Sequence, residues 1–146
     1  MRVVLDTNVV VAALRSDRGA SRQLLLTALD RRMILLASVA LMLEYEAVLT
    51  RSEQLLETGL NRNEMTAVLD AIASVVEPVE MRFLWRPRLK DPGDEMVLET
   101  AVNGRADRLV TFNQRHFAEA VEQFGITVTA PGETWREIRG YNREKE

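Results

Sequence analysis

The hydrophobic positions of the chain form short apolar runs that alternate with segments of helical spacing. The runs at residues 2–5 and 33–37 are almost wholly apolar, as expected for buried strands of a parallel sheet. Residues 7–14 follow the first run with helical character, and the apolar positions between residues 24 and 29 also recur at helical spacing. The pattern therefore predicts strand, helix, helix and strand in the first 37 residues.

The middle of the chain carries two helix-start signals. Ser38 can cap a helix that runs to Leu49, and Asn61 with Glu64 three residues later has the pattern of a capping box. The helix after the capping box is predicted to end at about residue 75. A short strand at residues 76–79 and an ordered loop at residues 81–91 are predicted next.

Strand and helix alternate again in the last third of the chain. The predicted elements are a helix at 94–103, a strand at 108–111, a helix at 115–123, a strand at 126–128 and a helix from Pro131. Repeated alternation of this kind is typical of an α/β domain in which helices cover both faces of a twisted parallel sheet. We therefore expect a three-layer α/β/α architecture.

Composition is consistent with one domain, which we place at residues 1–139, followed by a charged and frayed tail at residues 140–146. The chain has 146 residues, of which 47% are apolar, and it contains no cysteine. The lack of cysteine excludes disulfides, zinc-thiolate sites and thiol nucleophiles. No apolar stretch approaches the roughly 20 residues that span a bilayer, and no signal-peptide pattern opens the chain, so we expect a cytoplasmic protein.

The net charge of −3 gives no general attraction to a polyanion. Basic residues do gather locally, however, in two places along the chain. They are Arg15, Arg18 and Arg22, and then Arg82, Arg86, Arg88 and Lys90. Scattered surface arginines are the more common interpretation of such a pattern, and contacts with phosphate groups are the alternative.

Candidate chemistry lies at the predicted strand ends, because sites in open parallel sheets form where the strands end. The first strand ends in the segment 6–8, which reads Asp-Thr-Asn, and the fourth ends in the segment 111–113, which reads Thr-Phe-Asn. The helix after the second strand carries Glu44 and Glu46, and Asp91 and Asp94 begin the helix before the fourth strand; oxygen ligands of this kind suit Mg²⁺ or Mn²⁺.

Each of these acids has a purely structural alternative. Asp6 can cap the first helix, and Asp91 before a proline can cap the helix in which Asp94 takes the third position. Against this, Asp94 lies at the start of an apolar stripe of its helix, where a carboxylate needs a bonding partner. Glu95 and Glu99 share a different face, which suits solvent. Periodicity does not distinguish Glu44 from Glu46 as a site residue.

The residues that are scarce exclude several enzyme mechanisms. His116 is the single histidine, which rules out two-histidine ribonuclease chemistry, and we expect it at the surface or at a helix start. No Gly-x-Ser-x-Gly elbow and no glycine-rich phosphate loop occurs. Aspartate-nucleophile phosphatases of the haloacid dehalogenase type need Asp-x-Asp, and Asn8 stands in place of the second acid.

Five segments in this order resemble the PIN-domain family, most closely its toxin components of toxin–antitoxin systems. They are Val3–Val9, Ser38–Leu49, Lys90–Asp94, Ala106–Asn113 and Thr129–Pro131. The opening motif is weak by itself, whereas the ordered set is fairly specific and covers nearly the whole chain. The resemblance implies a PIN-like fold and a quartet of acids that binds Mg²⁺ or Mn²⁺.

The resemblance also assigns roles to individual residues. Asp6, Glu44 and Asp94 match the first three acids of the quartet, and Asp91 matches an acid frequent in this branch. The fourth position, usually an aspartate, is Asn113, whose amide can coordinate through oxygen but brings no charge. Expected metal ligands are Asp6, Glu44, Asp91 and Asp94, and expected substrate-binding residues are Thr7, Asn8 and Thr111.

The function implied by the resemblance is metal-dependent hydrolysis of single-stranded RNA by a toxin that a small antitoxin protein inhibits. The family often forms homodimers. Because Asn113 replaces an acid, an alternative is a catalytically weak or inactive domain that serves as an RNA-binding or regulatory module. Loss of RNA cleavage in Asp6→Asn and Asp94→Asn variants distinguishes the two.

Overall fold

Five parallel strands form the centre of the molecule. The computed structural model describes residues 1–82 and 91–145. Within them the strands are β1 (Arg2–Leu5), β2 (Ile34–Ala37), β3 (Glu77–Pro78), β4 (Arg108–Val110) and β5 (Val128–Thr129). Their spatial order is β3-β2-β1-β4-β5, so the first strand lies in the middle of the sheet.

Eight α-helices flank this sheet in the part of the chain that the structure describes, giving the expected three-layer α/β/α arrangement. They are α1 (Thr7–Arg15), α2 (Ala20–Leu29), α3 (Val39–Leu49), α4 (Ser52–Thr58), α5 (Arg62–Val75), α6 (Pro92–Asn103), α7 (Ala118–Phe124) and α8 (Pro131–Lys145). A short 3-10 helix, Gln114–Phe117, lies between β4 and α7.

The apolar character of β1 follows from its central position. Val3 pairs with Leu35 of β2 on one side and with Arg108 of β4 on the other, and the side chains of residues 3–5 are fully buried. A strand that has helices on both faces cannot alternate apolar and polar side chains, because both faces are dry. The same arrangement places the carboxyl end of β1 between those of its neighbours.

Three helix starts use the capping residues that the sequence predicted. The Ser38 hydroxyl accepts a hydrogen bond from the Leu41 amide, and Asn61 and Glu64 form a reciprocal capping box. Asp91 caps α6 through the amide of Gly93 at 2.7 Å. Side-chain acceptors at these positions satisfy amides that have no partner within the helix.

The structure differs from the sequence prediction at several element ends. Residues 114–117 form a separate 3-10 turn where a continuous helix from residue 115 was predicted. The last helix, predicted from Pro131, is described through Lys145, and the fraying of residues 140–146 stays a prediction. The predicted loop lies largely outside the described residues, since residues 83–90, which include Arg86, Arg88 and Lys90, are not among them.

No helix in residues 1–82 or 91–145 is both long enough and apolar enough to span a membrane.

Candidate active site

Asp6 lies at the carboxyl end of the central strand, where the sequence analysis located the candidate chemistry. Only 7% of the residue is exposed. It stands at the N-cap position of α1, yet its side chain makes no capping hydrogen bond. Instead Asp6 Oδ2 accepts a hydrogen bond of 2.7 Å from the hydroxyl of Thr111. Helix capping therefore does not explain this carboxylate.

Thr111 holds the Asp6 carboxylate from the end of the neighbouring strand β4. Its side chain is buried, and its hydroxyl oxygen accepts the backbone N–H of Asn113 at 3.0 Å. Its own backbone amide donates to the carbonyl oxygen of Thr129. Because the Thr111 oxygen already accepts this amide, its hydroxyl donates its proton to Asp6 and fixes the orientation of the carboxylate.

Asp94 is the second acid of the site, and it lies in the first turn of α6. The N-cap Asp91 starts that helix, as the local alternative predicted, and Asp94 follows three residues later. Only 13% of the Asp94 side chain is exposed. Its Oδ2 lies 2.9 Å from Nδ1 of His116, a residue of the 3-10 turn after β4. The sequence predicted that Asp94 needs a bonding partner, because it begins an apolar stripe of its helix. His116 is that partner.

The two carboxylates influence each other. Burial raises the pKa of Asp6, and the negative charge of Asp94 raises it further, although the hydrogen bond from Thr111 opposes the shift. Burial also raises the pKa of Asp94; the hydrogen bond with His116 opposes this effect, and Asp91 adds to it. The site therefore concentrates negative charge in a poorly hydrated place, which favours binding of a proton or a cation.

Glu44 does not join these two acids in a compact ligand group. In the part of the chain that the structure describes, no three histidine, aspartate or glutamate side chains are close enough together to hold a metal ion. Glu44 is half-buried on α3. The described residues therefore show a contact between Asp94 and His116 and an effect of the Asp94 charge on Asp6, and they do not show the predicted quartet as one group.

The two glutamates that periodicity left undistinguished lie on different faces of α3. Glu46 lines a cavity of about 320 Å³ together with Asp70 of α5. Glu44 precedes Val48 by one helical turn, and Val48 lines a separate cavity with Thr7. Glu44 therefore shares a helix face with Val48, which lines a cavity together with the residue that follows Asp6.

The remaining predicted polar residues either follow Asp6 in the chain or contact Thr111. Thr7 and Asn8 form the first turn of α1 and are half-buried. Asn8 Oδ1 is enclosed and accepts no hydrogen bond from the described residues. Asn113 is exposed. Its backbone amide donates a hydrogen bond to the hydroxyl oxygen of Thr111, and this contact connects it to the site.

Comparison with known proteins identifies the family. The model of the PIN domain matches residues 2–115. This chain belongs to the PIN domain family. Among solved structures, a chain of VapBC2 from Rickettsia felis bound to a DNA fragment from their promoter has a TM-score of 0.58, with 16% sequence identity, over 89% of this chain and 98% of that chain. No curated protein matches the sequence.

The acids of this PIN domain suit a magnesium-type site. Mg²⁺ keeps several of its waters and commonly takes one or two carboxylates from a protein, with substrate phosphates as further ligands. Asp6 and Asp94 supply two carboxylates, and the charge of Asp94 adds to the effect of burial in raising the pKa of Asp6; Asn8 Oδ1, two residues after Asp6, has no donor among the described residues. Hard oxygen donors of this kind fit Mg²⁺ or Mn²⁺.

Sequence reasoning missed two residues of the site. His116 is exposed and lies in the short 3-10 helix, as expected for a residue at the surface or at a helix start, but its contact with Asp94 was not foreseen; the available signal was its position three residues after Asn113. Tyr45 was not singled out, although it adjoins Glu44 in sequence; it is fully buried, and its hydroxyl donates to the carbonyl oxygen of Leu5. One expectation was wrong, since Glu95 is 7% exposed and does not face solvent.

Proposed function

We propose that this PIN domain is a metal-dependent ribonuclease that hydrolyses phosphodiester bonds of single-stranded RNA. The observation that carries the proposal is the pair of poorly exposed carboxylates Asp6 and Asp94: burial raises the pKa of Asp6, and the charge of Asp94 raises it further. Such pairs are destabilising unless a proton or cation lies between them. A site of this kind in a member of the PIN domain family favours metal-dependent nuclease chemistry over a structural role.

Each residue has a definite task in the proposed reaction. When bound, Mg²⁺ or Mn²⁺ lowers the pKa of a water and neutralises charge on the phosphodiester. Asp6 and Asp94 hold the cation, and Thr111 fixes the orientation of the Asp6 carboxylate through its hydroxyl. We assign Glu44 as a third carboxylate because of its face on α3, and Asn113 as an uncharged fourth group that contributes an amide oxygen.

Asp91 has a lesser part in this proposal than the resemblance implied. Its Oδ1 is already engaged by the amide of Gly93 at 2.7 Å, so capping occupies one of its oxygens. Its charge still acts on Asp94, whose pKa it raises. We therefore propose that Asp91 strengthens the negative field of the site and is a ligand of secondary importance.

We propose that the protein acts in the cytoplasm as a toxin that a small antitoxin protein inhibits. The similar fold of a chain in the VapBC2 complex supports a protein partner of this kind. Formation of a homodimer, which the family resemblance implies, stays a proposal. Co-purification of the chain with the product of a short adjacent reading frame, and inhibition by that product, tests this role.

Cleavage of a labelled single-stranded RNA in Mn²⁺ tests the catalytic proposal. We expect cleavage by the wild-type chain, and a loss of at least about 100-fold in Asp6→Asn and Asp94→Asn, the scale of removing one group that stabilises a transition state. Leu56→Ala serves as a control, because Leu56 is 84% exposed on α4. Equal cleavage by all four proteins would indicate a contaminating nuclease and would contradict the assignment of Asp6 and Asp94 to the active site.

A second function is favoured by one observation, the lack of a compact three-ligand group among residues 1–82 and 91–145. A domain with this property could bind RNA, or regulate a partner, without cleaving it. The same assay separates the two proposals, since the binding module would retain the RNA in Mn²⁺ without shortening it. Cleavage that depends on Asp6 excludes the binding module.

A further inference from the structure

A second cavity begins at the residues that follow Asp6 and Thr111 in the chain. Its volume is about 430 Å³. One wall is the face of α1 from Thr7 to Arg15, and Val48 and Phe112 complete the lining. Thr7 follows Asp6 in the chain and Phe112 follows Thr111, so the cavity begins one residue from the Asp6–Thr111 hydrogen bond on both chain segments.

Phe112 gives this cavity an aromatic surface that is open to solvent. The residue is 54% exposed, although its two neighbours in the chain are polar and it directly follows the buried Thr111. An exposed phenylalanine beside a nuclease site contributes nothing to the core. Aromatic side chains in such places stack on nucleic-acid bases, since every base has a π-face.

Arg15 provides positive charge at the far end of the same wall. It lies eight residues after Thr7, a distance of about 12 Å along a helix axis. Its Nε donates to Oε1 of the buried Gln54 at 3.1 Å, which anchors the side chain. No carboxylate in the described part of the chain lies within ion-pair distance of Arg15, so its charge is available to a phosphate.

Asn8 adds a polar group to an otherwise apolar stretch of the wall, which also includes Val11 and Ala12. Its enclosed Oδ1 has no donor among the described residues. An enclosed acceptor without a donor is destabilising, and an amide that no hydrogen bond holds can turn its oxygen or its N–H toward a ligand. The edge of a nucleobase carries the complementary groups.

From these features we propose that the cavity is a base-binding subsite, in which a nucleobase next to the cleaved phosphodiester stacks on Phe112 while Arg15 contacts a backbone phosphate. This inference rests on the proposed function. A nucleobase fits better than a protein side chain because an aromatic face lines this cavity together with an arginine and an amide oxygen that have no acid and no donor, respectively, among the described residues. Val11, Ala12 and Val48 supply the apolar floor.

Binding measurements in an Asp6→Asn background test the subsite without cleavage. The probes are two fluorescein-labelled oligomers of about 12 nucleotides, one of adenylates and one of abasic ribose phosphates with the same number of charges. Phe112→Ala should weaken binding of the adenylate oligomer by about 5- to 150-fold and leave the abasic oligomer unchanged. Phe112→Tyr should retain the affinity, and Arg15→Gln should weaken binding of both oligomers.

Three outcomes would overturn the proposal, and they have different meanings. If wild-type protein cleaves RNA and Phe112→Ala binds adenylates as tightly as the parent, the subsite does not exist and the proposed function stands. If Phe112→Ala weakens only the binding of an antitoxin, the cavity is a protein-binding site. If the wild type cleaves no RNA and the Asp6→Asn parent binds neither oligomer, the proposed function fails as well. Leu56→Ala in the same background is the matched control.

Discussion

At the scale of single residues, the site is built around a carboxylate that is buried at an energetic cost. Asp6 lies in the middle of the sheet, with one oxygen held by Thr111 and with Asp94 near enough to raise its pKa. A buried acid of this kind lowers the stability of the protein at neutral pH unless a cation accompanies it. Function and stability therefore have opposite requirements at this position.

Asp6→Asn should raise the melting temperature of the metal-free protein at pH 7. Because folding raises the pKa of Asp6 above 3.8, the stability that this group contributes is complete at low pH and is lost as the pH rises through the folded value. The amide keeps an oxygen for the Thr111 hydroxyl and removes the charge. We expect a gain of about 2–4 °C, which corresponds to about 1 kcal/mol for a chain of this size.

Thermal melts of both proteins between pH 3 and pH 8 check this prediction. The two curves should converge at the acidic end and separate as the pH rises. A variant that is less stable than the wild type across the whole range would show that the Asp6 carboxylate stabilises the fold.

His116→Ala should weaken Mn²⁺ binding most strongly at mildly acidic pH. The hydrogen bond with His116 opposes the rise in the pKa of Asp94, so its removal lets that pKa rise further and keeps the carboxyl protonated to a higher pH. Titration calorimetry with Mn²⁺ at several pH values measures the effect. His116→Gln, which keeps an N–H donor, should be less affected, and an alanine variant with wild-type affinity at every pH would argue against this role for His116.

At the scale of elements, helix α3 connects the sheet to the site in two ways. Its buried Tyr45 donates a hydrogen bond to the carbonyl oxygen of Leu5, the residue before Asp6. Its Glu44 lies on the face of Val48, whereas Glu46 faces another cavity. The position of this helix therefore affects both the backbone of β1 and the acidic side chains.

Tyr45→Phe should destabilise the protein by about 1–3 kcal/mol, because it leaves a buried carbonyl without its donor. Urea denaturation measures the loss. RNA cleavage should fall as well, since the unanchored carbonyl immediately precedes Asp6. A phenylalanine variant with unchanged stability would contradict the importance of this hydrogen bond.

Glu44→Gln and Glu46→Gln form a matched pair on the same helix. If Glu44 is the third carboxylate, Glu44→Gln should lower RNA cleavage by about 10- to 100-fold, on the scale of losing a supporting group near a metal, and Glu46→Gln should leave it unchanged. Initial rates in Mn²⁺ at equal protein concentration provide the comparison. Similar losses of RNA cleavage in both variants would show that the position of a glutamate on one face of α3 does not identify the third carboxylate of the site.

At the scale of the whole molecule, much of the fold was predictable because buried parallel strands appear in the sequence as continuous apolar runs. Residues 2–5 were predicted as a strand and form one, and the capping signals at Ser38 and Asn61 were confirmed. The extent of the last helix was less predictable, because its charged end lacks an apolar stripe. A propensity pattern does not determine where a helix of that composition ends.

The site was only partly predictable from sequence. The position of Asp6 and Thr111 at adjoining strand ends follows from the parallel order of the sheet. The contact between Asp94 and His116 does not, because it depends on how the 3-10 turn after β4 packs against the start of α6. The choice between Glu44 and Glu46 stays a proposal, because a helix with apolar residues on all sides does not indicate from its sequence which face is turned toward the site.

The most direct test of the central claim is the melting temperature with and without Mn²⁺, in the wild-type protein and in Asp6→Asn. A cation that binds only the folded state stabilises it by about 2.7 kcal/mol at a concentration of 100 times its Kd, which corresponds to about 5–10 °C here. We expect that rise in the wild type and none in Asp6→Asn. A wild-type melting curve that Mn²⁺ leaves unchanged would contradict a metal site at Asp6 and Asp94.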